Sequence, residues 1–167
     1  LGDVYKRQIS ILVENHAGVL ARVAGLFARR GFNIDSLAVG VTEDEKISRI
    51  TIIADGTAYT LEQIEKQLNK LIDVIKVRHL PAEELLSREL VLIKVACQPS
   101  QRAELISLAE IAKAKISDIT VNTMTLELSD SVPRIKTFEE LLRPYGIKET
   151  VRTGSIAMQK GGASMKL

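Results

Sequence analysis

The chain has no tryptophan, three phenylalanines, three tyrosines, two histidines and a single cysteine in 167 residues. Each shortage removes a class of function. One cysteine cannot close a disulfide within a chain, which fits a reducing compartment such as the cytoplasm or an organelle stroma. Cys97 lies in the apolar run LVLIKVAC, where a small buried strand residue is expected. His16 and His79 have no cysteine or second histidine at ligand spacing, so no metal centre and no Cys/His catalytic pair are indicated. No apolar run approaches the ~18 residues of a membrane span, and no signal-peptide pattern opens the chain. Charge of one sign is also missing. The 23 basic and 21 acidic residues divide as 11 and 10 over residues 1–80 and as 12 and 11 over 81–167. Neither half is a polycation, so nucleic acid and anionic membranes are not the expected partners.

What is present is a strand, a turn and a helix in residues 9–33. Ile9, Ile11 and Val13 alternate as a strand and deliver the backbone into Asn15-His16-Ala17-Gly18. Asn15 is a candidate N-cap, its side-chain oxygen placed to accept an orphan amide hydrogen of the first turn. Gly18 lets another group approach the backbone closely. Val19, Leu20, Val23, Leu26 and Phe27 follow helical spacing, and Gly31 suits a left-handed cap behind Arg29 and Arg30. A turn of this kind aims backbone N–H groups over the helix start, which makes it a candidate carboxylate or phosphate site. The Gly25/Gly31 pair lies within and at the end of the helix, so it forms no phosphate loop.

Further along, residues 33–41 alternate with Leu37, Val39 and Val41 on one face, and Glu43-Asp44-Glu45 reads as a solvated turn before a strand at 47–54. Thr60 to Gln63 is a candidate capping box for a helix carrying Ile64, Leu68, Leu71 and Ile72. A strand at 74–80 closes this half. The second half repeats the order: a strand at 89–97, a helix after Pro99 with Leu105, Ile106, Leu108, Ala109 and Ala112, strands at 117–122 and 123–129, a helix from Pro133 with Ile135, Phe138, Leu141 and Leu142, and a strand at 147–153.

The expected fold class is therefore α+β, two tandem ferredoxin-like βαββαβ domains, at 9–80 and 88–158, with a linker at 81–87. Residues 154–167 are rich in Gly, Ser and Lys, with 159–167 expected to be a mobile tail and Ile156 and Met158 able to dock. Residues 1–8 fit the first strand poorly and read as a fragment end or a cloning or translation junction. Each sheet has one face covered by its own helices, and Leu37, Val39 and Ile52 are expected on uncovered surface, which points to a dimer. The same fold serves RNA-binding modules, but those stack bases on aromatics of the central strands. The segments ISRITIIA and LVLIKVAC contain none.

The residues resemble a known family. Asn15-x-x-Gly18-x-Leu20-x-x-Val23, followed by Phe27 and Gly31-x-Asn33-Ile34, is similar to the ACT domain, a regulatory module that binds amino acids between paired copies. The resemblance is closer still to the regulatory (small) subunits of acetohydroxyacid synthase, also called acetolactate synthase. It rests on ILVENHAGVLARVAGLFARRGFNIDSLAVG, SRITI and LEQIEKQLNKLIDVIKV, and more loosely on RELVLIKV in an ACT-like C-terminal domain, spanning about residues 9–158. Ala17 stands where many ACT modules have proline, which loosens the turn without removing a donor.

The resemblance implies a regulatory subunit without an active site of its own, acting in branched-chain amino-acid biosynthesis. It implies a homodimer through the ACT domains, a large catalytic subunit as partner, and feedback inhibition by a branched-chain amino acid, typically valine. By the same resemblance Ala17, Gly18, Val19 and Leu20 offer N–H groups to the effector carboxylate, and Asn15 supplies side-chain contacts. Asn33 and Ile34 come from the facing protomer. No cofactor is expected in this chain; thiamine diphosphate, Mg and FAD belong to the catalytic subunit. A cytoplasmic location is expected, or a plastid one. The alternative is a free-standing ACT-domain sensor acting on another enzyme or regulator.

Overall fold

The computed structural model describes residues 5–165. The chain divides into two compact units, one holding residues up to 86 together with those from 155 onward, the other residues 87–154.

The first unit begins with β1 (Tyr5–Glu14), followed by α1 (Val19–Arg29), β2 (Ile34–Val41), β3 (Ile47–Gly56), α2 (Ala58–Leu68) and β4 (Val74–His79). The sheet order is β2-β3-β1-β4 with every neighbouring pair antiparallel, the split βαββαβ arrangement expected from the sequence. Its core is Ile9, Ile11 and Val13 of β1 and Ile50, Ile52 and Ala54 of β3, packed under Val19, Val23, Leu26 and Phe27 of α1 and Leu61, Ile64 and Leu68 of α2. Period-two and period-three-to-four patterns meet on this one face. The start of α1 differs from expectation and is described with the site. Its end does not: Gly31 is left-handed at φ 74°, and the amides of Gly31 and Phe32 donate to the carbonyls of Ala28 and Phe27. Two last-turn carbonyls are thereby satisfied and the chain is turned into β2. For α2 the cap is Thr57, not Thr60. The Thr60 amide donates to Thr57 Oγ1 and the Thr57 amide to Thr60 Oγ1, so the capping box sits three residues earlier.

Four further expectations are corrected. Tyr5–Gln8 belong to β1, which pairs with β3 from its first residue; residues 1–4 lie outside the described chain. Ile52 is fully buried and Leu37 is partly buried against the same core, because the register sets Leu37 opposite Ile52 on the helix-covered face. They are not uncovered surface, whereas Val39 and Val41, at the outer end of edge strand β2, are exposed. Ile72 falls beyond α2 and is 93% exposed. Finally, β9 (Ile156–Gln159) and its flanks belong with the first unit, not the second.

Ser155 and Ala157 are buried while Ile156 and Met158 face outward, the reverse of docking through the large side chains. The segment is held by polar contacts on the sheet's helix-free face. The Ser155 amide donates to Ser36 Oγ at 2.9 Å, and Arg49 Nη2 donates to the Ala157 carbonyl at 2.8 Å and to Ser10 Oγ at 3.1 Å. Lys160, inside the stretch expected to be mobile, donates from its amide to the Glu84 carbonyl and from Nζ to that of Glu83. Residues 166–167 of that stretch lie outside the described chain.

The second unit repeats the pattern. β5 (Leu85–Ala96, its first two residues in the first unit), α3 (Arg102–Ala112), β6 (Lys115–Ile119), β7 (Thr123–Asp130), α4 (Val132–Leu142) and β8 (Ile147–Arg152) give the order β6-β7-β5-β8. Val91, Ile93 and Val95 pack with Met124, Leu126 and Leu128 beneath Leu105, Ala109, Ile135, Phe138 and Leu142, and Cys97 is buried among them as expected. Arg152 lies 3.5 Å from the buried Glu89 carboxylate and also pairs with Glu139, so this inward acid has its cation. Among the described residues no helix is long and apolar enough to cross a membrane.

The register makes a discriminating prediction. Ile52→Ala should cost about 2–5 kcal/mol, the usual penalty for emptying a packed site. Ile72→Ala, on an exposed turn, should stay within about 0.5 kcal/mol. Urea unfolding of both variants measures this, and equal midpoints would contradict the register.

Candidate functional site

The loop between β1 and α1 holds Asn15, His16, Ala17 and Gly18, and each end is fixed by hydrogen bonds. The Asn15 amide donates to the Lys46 carbonyl at 2.8 Å, and Asn15 Nδ2 donates to the Glu45 carbonyl at 2.8 Å. Asn15 is thus not the helix cap. It ties the loop to the β2–β3 hairpin, whose acidic residues form the expected exposed turn, with Asp44 Oδ1 accepting the Lys46 amide. The N-cap is Gly18, left-handed at φ 86°, with no side-chain hydrogen bond capping the helix. The first internal bond runs from the Arg22 amide to the Gly18 carbonyl at 3.1 Å. The amides at the very start of α1 are therefore left for an outside acceptor. Val19 is buried, which fixes the first turn on the core, while Leu20 is 40% exposed and turned outward beside that start, not into the helix core as its spacing suggested.

Asn33 and Ile34 stand at the other end of α1. Asn33 Nδ2 donates to Asp35 Oδ1 at 2.8 Å, and Asp35 pairs with Lys6 at 2.8 Å. Ile34 opens the edge strand and packs partly on the core. An eleven-residue helix separates the two groups of residues, about 16 Å at 1.5 Å per residue. One copy of the chain does not bring them together.

Two residues that sequence reading passed over complete the loop's surroundings. Asp73, in the turn ahead of β4, is buried. Its Oδ2 accepts Arg22 Nε at 2.7 Å and is also engaged by Nη2 of the same guanidinium. Its Oδ1 lies 2.8 Å from His16 Nε2, and its backbone carbonyl accepts the Glu14 amide at 2.9 Å. The sequence carried a signal: in LIDVIKV a single carboxylate interrupts an apolar run, and such a group needs a cation when folded.

His16 is half exposed, and both of its ring nitrogens meet acceptors. Nδ1 is 3.2 Å from the Ala17 carbonyl, and Nε2 faces Asp73 and, at 3.2 Å, Glu14 Oε2. That geometry suits the doubly protonated ring. The Ala17 carbonyl first, then the Glu14 and Asp73 carboxylates, raise its pKa above the ordinary histidine value. Glu14, His16 and Asp73 present ligand atoms within 4.8 Å of one another, a grouping that spacing alone did not indicate. Arg22 pairs with the Asp73 carboxylate, and protonation of His16 supplies the second positive charge between Asp73 and Glu14.

Comparison with known proteins places these features in one family. A model of the AHAS small subunit-like ACT domain matches residues 9–76, and a model of the small subunit of acetolactate synthase matches residues 88–161. The chain is 48% identical over 156 residues to the probable acetolactate synthase small subunit of Archaeoglobus fulgidus, covering 93% of this chain and 98% of that one. It is 51% identical over 158 residues to the probable acetolactate synthase small subunit of Methanothermobacter thermautotrophicus, covering 94% of each. The crystal structure of the acetolactate synthase small subunit from Thermotoga maritima superposes with a TM-score of 0.88 at 38% identity, covering 95% of this chain and 99% of that one.

The two histidines should titrate on opposite sides of about 6.5. His16 is raised, whereas His79 is lowered, by burial first and by Arg7 second. The stability His16 contributes is fully present below its unfolded value and is lost as pH rises through its higher folded value. For His79 the sign reverses, because the unfolded chain takes up the proton more readily and stability is lost as pH falls. NMR titration of the imidazole resonances checks this, and coincident curves would remove the ion-pair account of the loop.

Proposed function

Because this chain belongs to the acetolactate synthase small-subunit family, and is by that membership a regulatory subunit, we propose that it activates a catalytic acetolactate synthase subunit and makes it sensitive to valine. The observation that carries the effector site is the start of α1. Its amides are uncapped, Gly18 holds a backbone conformation that side chains disfavour, and the loop is fixed from both sides. In this reading the amides of Ala17, Gly18, Val19 and Leu20 receive the valine carboxylate, the lack of a side-chain cap at the start of α1 supporting it. Asn15 lies alongside with its carbonyl oxygen available for an ammonium group, since its Nδ2 is spent on Glu45.

The remaining residues of the proposed site come from a second copy. Asn33 and Ile34 are too far along α1 to reach their own loop, so a homodimer through the first units supplies them. Edge strand β2, with Val39 and Val41 exposed, offers the pairing surface. Catalysis, with thiamine diphosphate, Mg and FAD, belongs in this reading to the partner subunit, in cytoplasm or plastid stroma. Regulation requires that valine bind one arrangement of the assembly more tightly than another, since equal affinity shifts nothing. A coupling of about 1–3 kcal/mol corresponds to roughly 5- to 150-fold changes in an apparent constant.

Calorimetry with valine, leucine and isoleucine on the purified chain tests the site. Asn15→Ala and Gly18→Asp should each weaken binding at least about tenfold, roughly the loss of one charge-assisted contact, with the dimer intact by light scattering. Unchanged binding in both would place the effector elsewhere. Mixing the chain with a catalytic acetolactate synthase subunit should raise its rate and confer valine inhibition. A chain that binds valine yet leaves that rate unaltered would instead be a free-standing sensor.

A further inference from the structure

We propose that Arg22 is a side-chain ligand for the effector's carboxylate and that Asp73 is the residue that positions it. The inference rests on the reading of the Asn15–Leu20 loop as the effector site, and it adds a charged donor that backbone amides alone do not provide.

Three observations carry it. First, the guanidinium lies on the loop itself: a Cβ built on Gly18 would stand 3.2 Å from Arg22 Nη1. Position 18 is thus doubly restricted, by its left-handed φ and by the arginine above it. Second, the donors of Arg22 are divided. Asp73 Oδ2 engages Nε and Nη2, and Nη1, turned toward Gly18, has no partner among the described residues. A guanidinium is a planar fork, so one edge held by Asp73 fixes the direction of the remaining hydrogens. Third, the side chain is about half exposed while that of Asp73 is 8% exposed. The anchor is inside and the free donor faces outward, where a ligand can reach it.

The chemistry follows. A carboxylate over the start of α1 has two oxygens. One can take helix amides and the other Nη1, whose position over Gly18 puts both kinds of donor on the same side of the loop. Asp73 cancels most of the local positive charge, so the pair is not a general anion trap. The fitting ligand is a zwitterion whose single carboxylate completes the fork, which is the class of free α-amino acids. His16 on Oδ1 and the Glu14 amide on the Asp73 carbonyl keep the anchor from turning away.

The test compares valine with valinamide, which keeps the ammonium and the side chain but lacks the carboxylate. Calorimetry on the full chain gives both affinities for the native protein, Arg22→Gln, Arg22→Lys and Asp73→Asn, each first shown by thermal unfolding to be fully folded at the temperature of the measurement. Arg22→Gln should weaken valine by about 10- to 100-fold, as expected for one charge-assisted hydrogen bond, and change valinamide by less than about threefold. Arg22→Lys, which keeps charge but cannot hold Asp73 and reach Gly18 together, should fall between. Asp73→Asn should give a smaller, several-fold loss confined to valine. Equal loss for valine and valinamide would assign Arg22 a purely structural role and overturn the proposal while leaving the effector site standing. Native valine binding retained in a folded Arg22→Gln would do the same. Failure of the native chain to bind any branched-chain amino acid would remove both readings together.

Discussion

A carboxylate inside a folded protein must be compensated, and the Asp73 carboxylate meets Arg22 and His16 while its backbone carbonyl takes the Glu14 amide. Arg22 from α1, His16 from the loop and the Glu14 amide from the end of β1 all converge on this one residue. Desolvating a carboxylate is costly, and removing a partner leaves that cost unopposed. The result is that β1, the loop, the first turn of α1 and the turn before β4 share one geometry. The loop needs such a device because it has little apolar anchorage: Asn15, His16, Ala17 and Gly18 are all exposed, and only Val19 behind them is buried. Polar contacts hold in place what hydrophobic packing does not.

The second organising constraint is distance along α1. The same helix that presents its uncapped start to the loop ends in a left-handed Gly31 and delivers Asn33 and Ile34 to the edge of the sheet. Both ends carry residues of the proposed site, and an eleven-residue helix separates them within one chain. The proposed dimer along β2 would resolve this, because an edge strand is the part of a sheet most disposed to pair with another chain. Exposed Val39 and Val41 extend that edge as apolar surface.

Much of this was legible in the residues. Alternation at Ile9, Ile11 and Val13, the helical spacing of Val23, Leu26 and Phe27, and Gly31 at the helix end gave the first unit's layers, because burial on one face imposes those periods. What was missed depended on contacts between segments distant in sequence. Asn15 looked like a cap by type and position, but its amide hydrogens found the Glu45 carbonyl thirty residues away. Leu37 and Ile52 are apolar on either reading; only the register assigns them to the helix-covered face. Ser155 and Ala157 are small and carry no pattern, and their docking runs through backbone groups that sequence does not display. Asp73 was the exception, since an acid within LIDVIKV announces a need for a cation, though not which cation answers it.

These bonds also give the proposed regulation a physical route. Strand β2 adjoins residues of the proposed effector site at both ends. Its first residue Ile34 and the preceding Asn33 serve the partner's pocket in the proposed dimer, and its far end runs into the turn at 42–46 whose carbonyls hold Asn15 of its own loop. A ligand that draws the loop toward its carboxylate therefore pulls on Asn15, and through Glu45 and Lys46 on the turn that closes the same edge strand. In the proposed dimer the two edge strands would share one hydrogen-bonded ladder, so a displacement of one edge bears on the other. In that proposed dimer, occupancy of one pocket would be felt at the strand that builds the other. The two sites of such a dimer would be coupled by hydrogen bonds already present in each chain, with a strength set by the preference of the effector for one setting of that edge over another.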